Sequence, residues 1–209
     1  GIVLSAIIGA LLVMIILLTV IQRLKDMMTV LIVGIMIGSV ITALIGVIQF
    51  FSDDYQLKSF VLWMMGDLNS VTMNQVLLLT PIVLLALVGS LVLSKPLNTL
   101  LLGDSQATSI GTNLNQSRLL IVVTTSILAG GVTAFCGPIG FVGIIVPHLA
   151  RMTTKTFNHF MLIPISALIG ANILLLADII SQLPGLDERL PINSITALIG
   201  IPIILWIIF

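Results

Sequence analysis

Charge is what this sequence lacks. Sixteen of its 209 residues are Lys, Arg, Asp or Glu, eight of each sign, and the formal net charge is zero. A soluble domain of this length would carry roughly 25% charged residues, or about 52. The deficit excludes a soluble enzyme and a disordered chain, and the absence of a basic face excludes a nucleic-acid-binding module. One cysteine, Cys136, excludes a disulfide framework. Regular apolar–polar alternation is missing too, which excludes an outer-membrane barrel. What the chain does have is long apolar runs, and these point to one all-α, polytopic membrane unit over residues 1–209, with no room for a soluble domain.

Charge-free stretches cover residues 1–22, 27–52, 68–94, 119–150, 156–177 and 190–209. About 20 residues at 1.5 Å rise cross a hydrocarbon core about 30 Å thick, and only helices and closed barrels satisfy their backbones in lipid. The expected spans are 2–22, 27–51, 74–94, 118–136, 141–152, 160–182 and 192–209. As one helix, 119–150 would be about 48 Å long, too long for the bilayer. Gly130-Gly131, Gly137-Pro138, Gly140, Gly143 and Pro147 punctuate it. It reads as a long span, a tight break at Cys136–Gly140 and a short return span. The return span must be buried among other helices instead of facing lipid.

Alternating sides place Arg23, Lys25, Lys95, Arg118, Arg151 and Lys155 together, six of the eight basic residues. Lys58 and Arg189 fall on the other side with Asp53, Asp54, Asp67, Asp187 and Glu188. The positive-inside rule makes the first side cytoplasmic. The first span then runs from outside to inside. Its basic residues follow the apolar run, which a signal peptide does not do. A chain that starts in the cytoplasm would need an odd number of spans upstream, so an N-terminal truncation is expected.

Small residues recur at helical spacing. Gly34, Gly38, Thr42 and Gly46 share one face of the second span, and Ala-Leu-Ile-Gly recurs at Ala43–Gly46, Ala167–Gly170 and Ala197–Gly200. Such spacing lets helix backbones approach closely. Packing explains it, and a lining role for the second span is the alternative. No Gly-x-x-x-x-Gly-Lys-Ser/Thr loop occurs, so any nucleotide used must be bound by a partner. His148, His159 and Cys136 lack the spacing of a ligand set, and neither metal nor cofactor is expected. Asp178 comes closest to an ionisable residue inside the membrane, about a turn from the outer end of its span, where a structural hydrogen bond or an ion site would suit it.

Two connections stand out. Between Lys95 and Arg118 lies the longest cytoplasmic one, with Pro96 near a helix start, Gly103 as a stop, Asp104 or Ser105 as a cap, and Gly111 as a second stop. It reads as a surface linker or, with Leu97, Leu100, Leu101, Ala107 and Ile110 on short apolar faces, as two helices that dock a soluble partner. On the outer side, Leu57–Gly66 holds Trp63, Met64 and Met65. It reads as an interfacial anchor or as a short helix over the mouth of a pathway.

The stretch Leu102-Gly-Asp-Ser-Gln-Ala-Thr-Ser-Ile-Gly111 resembles the coupling loop of the FecCD-type permeases, the transmembrane subunits of ABC importers for iron-siderophores, haem and cobalamin. Gly137-Pro-Ile-Gly-Phe-Val-Gly-Ile-Ile-Val-Pro-His-Leu-Ala-Arg151 is similar to that family's most distinctive stretch. Leu174–Asp178, Leu190–Pro202 and Trp63–Gly66 match further segments in order. The resemblance covers essentially the whole chain. It implies about seven spans of a ten-helix permease fold, the last seven helices, with the short span at 141–152 as the family's short eighth helix.

The resemblance also implies partners and roles. The family works as a homodimer in the bacterial inner membrane with two cytoplasmic ATPase subunits, and a periplasmic or lipoprotein binding protein delivers the ligand. Within the 95–117 loop, the helices Leu97–Leu102 and Asp104–Gly111 would meet the ATPase, through Leu97, Leu100, Leu101, Gly103, Asp104, Ser105, Gln106, Ala107, Ile110 and Gly111. Ser39, Thr42 and Gln49 on the second span, Trp63, Met64, Met65 and Gly66, and the last span would line the pathway. Lys58 and Arg189 would dock the binding protein. The chain would be a transport subunit without an ATPase site of its own. It departs from the family where Arg189 precedes Leu190-Pro191-Ile192, in place of an acidic residue, and where Asn193 replaces a glycine. A secondary transporter or channel, or a fragment without autonomous transport, are the competing readings.

Overall fold

The computed structural model describes residues 2–23, 27–68, 71–183 and 190–208. Ten helices and no strand occur among them: α1 (Ile2–Arg23), α2 (Met27–Phe50), α3 (Asp54–Met64), α4 (Met73–Val92), α5 (Ser94–Leu100), α6 (Asp104–Ser109), α7 (Leu114–Cys136), α8 (Val142–Thr154), α9 (His159–Ser181) and α10 (Ile192–Ile208). Four of these, α2, α4, α7 and α9, are long and apolar enough to cross a membrane, and α1 and α10 carry the shorter apolar stretches Ile8–Val20 and Ile192–Leu205. At 13 residues α8 is about 20 Å long, too short to cross alone. The seven expected spans correspond to α1, α2, α4, α7, α8, α9 and α10.

Local chemistry sets the ends. The Asn113 side chain accepts the Gln116 N–H at 3.1 Å and starts α7; Asn158 accepts from Phe160 at 3.0 Å and starts α9. Gln75 reaches back to the Thr72 N–H at 2.8 Å ahead of α4. Gly111, at φ 94°, closes α6 in a Schellman arrangement: its N–H bonds the Thr108 carbonyl and that of Thr112 bonds Ala107, both at 2.9 Å.

Several boundaries differ from expectation, among them that of the outer short helix, which is Asp54–Met64 instead of Leu57–Gly66. The helix expected at 118–136 starts four residues earlier, at Leu114, because Asn113 caps it and Arg118 lies inside the helix. The first loop helix is Ser94–Leu100 instead of Leu97–Leu102, with Pro96 in its first turn, where the missing N–H costs nothing. The second ends at Ser109 instead of Gly111.

α7 packs against α1 and α4, while α8 packs against α9 and α10; α4 and α5 join the two groups through α9. Glycine controls the close approaches. A Cβ on Gly130 of α7 would stand 2.8 Å from the Ala10 Cβ on α1, and one on Gly200 of α10 would strike the Ile145 side chain. Ile145, Val146 and Ala150 of α8 are buried among these helices. α3 has no buried residue and shares no extended packing with another helix among the described residues.

Candidate functional site

One end of the bundle gathers α5 and α6, the start of α7, the end of α8 and the start of α9. α6 is tied to α7 by an ion pair: Arg118 Nη2 donates to Asp104 Oδ2 at 2.7 Å, with the Arg side chain 10% and the Asp side chain 53% exposed. The Arg118 Nε–H is buried and has no partner among the described residues, so Asp104 is what compensates this buried cation. α5 is tied to α9 by an amide cluster. The Asn98 side-chain oxygen accepts the His159 N–H at 2.9 Å, which fixes how that amide is turned. It also faces the His159 ring at 2.7 Å, so Nδ1 is the protonated nitrogen there. Asn98 Nδ2 then donates to Asn158 at 2.9 Å, and the Thr112 and Thr99 hydroxyls, 3.0 Å apart, join α5 to the turn that follows α6.

The tied-down loop presents one face outward. Leu101, Leu102, Gly103, Asp104, Ser105, Gln106, Ile110 and Gly111 are exposed, Leu97 and Leu100 are half-buried, and Ala107 is fully buried. Ala107 therefore seats α6 on the bundle and is not available to a partner. A hollow of about 250 Å³ beside the loop is lined by Leu101, Arg151, Phe157 and His159, among others.

The opposite end is a joint between the end of α3, the α7–α8 break and the start of α10. The Asp67 N–H bonds the Cys136 carbonyl at 3.0 Å. Gly137 turns the chain at φ 74°, where a Cβ would collide with the Trp63 carbonyl, so this position requires glycine. Asn193 bonds all three segments: its N–H to the Met65 carbonyl at 3.2 Å, Nδ2 to Met64 at 2.9 Å and to Pro138 at 2.6 Å, and Oδ1 to the Gly140 N–H at 2.9 Å. Trp63 is half-buried, Met64 and Met65 are exposed and Gly66 is buried. The Trp63 Nε1–H is shielded and has no partner among the described residues, and the ring packs 6.0 Å from Phe60.

The remaining candidates are more dispersed. Ser39 and Thr42 are exposed on α2, with hydroxyls that bond back to Ile35 and Gly38 of their own helix at 3.0 and 2.9 Å. Gln49 is half-buried near the end of α2, and Lys58 is exposed on α3. Arg189 lies outside the described residues. Asp178 accepts from Gln182 at 2.8 Å, in line with the structural hydrogen bond considered for it.

The FecCD transport family profile matches residues 1–209, the whole chain. The chain belongs to the FecCD transport family. It is 37% identical over 178 residues to the hemin transport system permease protein HmuU of Yersinia pestis, covering 85% of this chain and 53% of that protein. It is 36% identical over 205 residues to the vitamin B12 import system permease protein BtuC of Salmonella typhimurium, covering 98% of this chain and 62% of that one. A solved metal-chelate type ABC transporter in an inward-facing conformation superposes with a TM-score of 0.84 at 31% identity, over 91% of this chain and 63% of that chain. The chain thus spans between about half and two thirds of the length of these proteins. A FecCD-family chain with four helices of spanning length is a multi-pass membrane protein.

Sequence reasoning did not single out Asn98, Arg118, Asn158 or His159 as anchors in this FecCD-family chain. Asn158 and His159 open α9, whereas Asn98 lies inside α5 and Arg118 in the second turn of α7, and no local signal marked the four as partners across elements.

Proposed function

We propose that this chain is the membrane-spanning part of a binding-protein-dependent, ATP-driven importer whose cargo is an iron-siderophore, haem or cobalamin. The observation that carries this reading is the α5–α6 element. It is held to the bundle by Asp104–Arg118 and by Asn98–His159, yet it turns Leu101, Leu102, Gln106 and Ile110 outward. A bare linker would have no need for two part-buried anchors. A docking element needs them, because force from a partner that binds ATP must reach the membrane helices without being lost in a loose loop. Family membership and the haemin and vitamin B12 relatives support the same class of cargo.

On this reading two ATPase subunits meet α5 and α6 on the cytoplasmic face of the bacterial inner membrane. Two copies of the permease face each other across α2 and α10. A substrate-binding protein meets α3 through Lys58, with Arg189 as a second contact. Ser39 and Thr42 spend their hydroxyls on their own helix, so α2 offers few directional groups to a ligand, which suits a wall that must release its cargo. The test is uptake by the full-length permease with its ATPase and binding protein in proteoliposomes. ATP inside should drive accumulation, and replacing residues 95–117 with a flexible linker should abolish it. Uptake that ignores ATP and follows an ion gradient would instead identify a secondary transporter.

A further inference from the structure

We propose that Asn193 is the positioning residue of the outer joint: one side chain, with its own backbone N–H, holds the α3 arm, the α7–α8 break and the start of α10 as a single unit. The joined segments are far apart in sequence, 129 residues from Asn193 to Met64 and 53 to Gly140. The amide is fully used. Both Nδ2 protons go to carbonyls, of Met64 and Pro138, and Oδ1 takes the Gly140 N–H. No smaller residue supplies two donors and an acceptor at that place.

The neighbourhood explains why such a residue is needed. α3 has no buried residue and no extended packing partner among the described residues, so its direction is set at its C-terminal end. There the Met64 and Met65 carbonyls, both bonded by Asn193, and the Asp67 N–H, bonded by Cys136, are the points of attachment. On the other side of the amide the chain is strained. Phe141 sits at φ 64° and ψ −38°, with Val142 N–H bonded to the Gly140 carbonyl at 2.7 Å, a γ-turn centred on a bulky residue. Such a turn persists only where its surroundings over-determine it. Asn193 Oδ1, on the Gly140 N–H, is one of those constraints, and Phe141 leads directly into α8.

The positional claim stands on these bonds alone; its consequence for transport rests on the function proposed above. Because α3 carries Lys58, loosening the joint loosens the surface offered to the binding protein. The experiment compares the wild type with Asn193→Ala and Asn193→Asp in the full-length permease assembled with its ATPase in nanodiscs. Hydrogen exchange should accelerate at least tenfold at residues 64–67 in both variants, and at Gly140 only in Asn193→Ala, because aspartate keeps the acceptor and loses the donors. Amides in the middle of α7 should not change. In uptake assays the KM for loaded binding protein should rise several-fold while the rate at saturation stays within about twofold. Unchanged exchange at 64–67 in Asn193→Asp would overturn the proposal, and so would acceleration spread evenly along α7. If Asn193→Ala does not assemble, Asn193→Asp decides the question alone. ATP-independent uptake would count against the function and leave the exchange result standing.

Discussion

Glycines of the same Ala-Leu-Ile-Gly tetrapeptide lie against α8, from α9 and α10, and on α2 itself, and the fold treats the two helices in opposite ways. α8 is 13 residues long, and Gly170 of α9 and Gly200 of α10 both abut it: a Cβ on Gly170 would lie 3.6 Å from Val146, and one on Gly200 would strike Ile145. α2 is 24 residues long, and Gly34, Gly38 and Gly46 have nothing within 4 Å of where a Cβ would stand. The tetrapeptide Ala-Leu-Ile-Gly occurs in α2, α9 and α10, yet only the α9 and α10 copies meet a neighbour. A small-residue face permits close approach but does not create it. The short helix draws neighbours around itself because it cannot cross lipid alone, whereas α2 is long enough to stand against lipid or against a partner outside this chain.

Changing single residues on the two helices would sharpen or break this contrast. The largest effect is expected for Ile145→Ala, which empties a site of 1% exposure at the α8–α9–α10 contact. It should cost about 2–5 kcal/mol and lower the Tm of the solubilised full-length permease by several degrees; an unchanged Tm would deny α8 its central place. Gly200→Ala comes next. Its methyl group would meet Ile145 and stand 3.2 Å from the Phe141 Cβ, so overpacking should cost about 1–3 kcal/mol, read in the same melting experiment.

Asp104→Asn should cost about 1–2 kcal/mol, since it leaves the Arg118 cation poorly compensated while half of the Asp104 side chain remains in water. Its clearer signature should be ATP hydrolysis that continues while uptake falls, and Asp104→Glu should restore part of the coupling. The smallest effect on stability is expected for Gly38→Ala. With nothing within 4 Å, the methyl group should be neutral or stabilise the helix by up to about 1 kcal/mol. Gly38→Leu should leave the Tm of a single chain alike but weaken dimerisation if α2 faces a second copy, which cross-linking of the intact complex would read. A Gly38 variant as damaging to the isolated chain as Gly200→Ala would erase the contrast.

Most of the helical layout was legible because hydropathy and charge are local properties. Splitting residues 119–150 into α7 and α8 needed only their length, the glycines near 137–140 and the placement of Arg151 and Lys155. The boundary at Arg118 was misplaced for a physical reason. A charge at the edge of an apolar run looks like the end of a span, but this one is buried in the second turn of α7 and paired with Asp104. The α5–α6 loop was recognisable from Gly103, Asp104 and Gly111, yet the inward turn of Ala107 was not, because short helices with apolar residues on several faces do not announce which face is covered.

By itself the sequence determined the seven apolar spans, roughly where they begin and end, and that one of them is too short to cross alone. Those properties follow from runs of neighbouring residues in a solvent that punishes unpaired backbone and charge. The tertiary structure alone decided which glycines are contacts and which are open, that Asn98 grips His159, and that Asn193, a departure at the sequence level, joins three segments. Those outcomes depend on distances between residues far apart in the chain, 53 to 129 positions for the hydrogen bonds, set only once the helices pack.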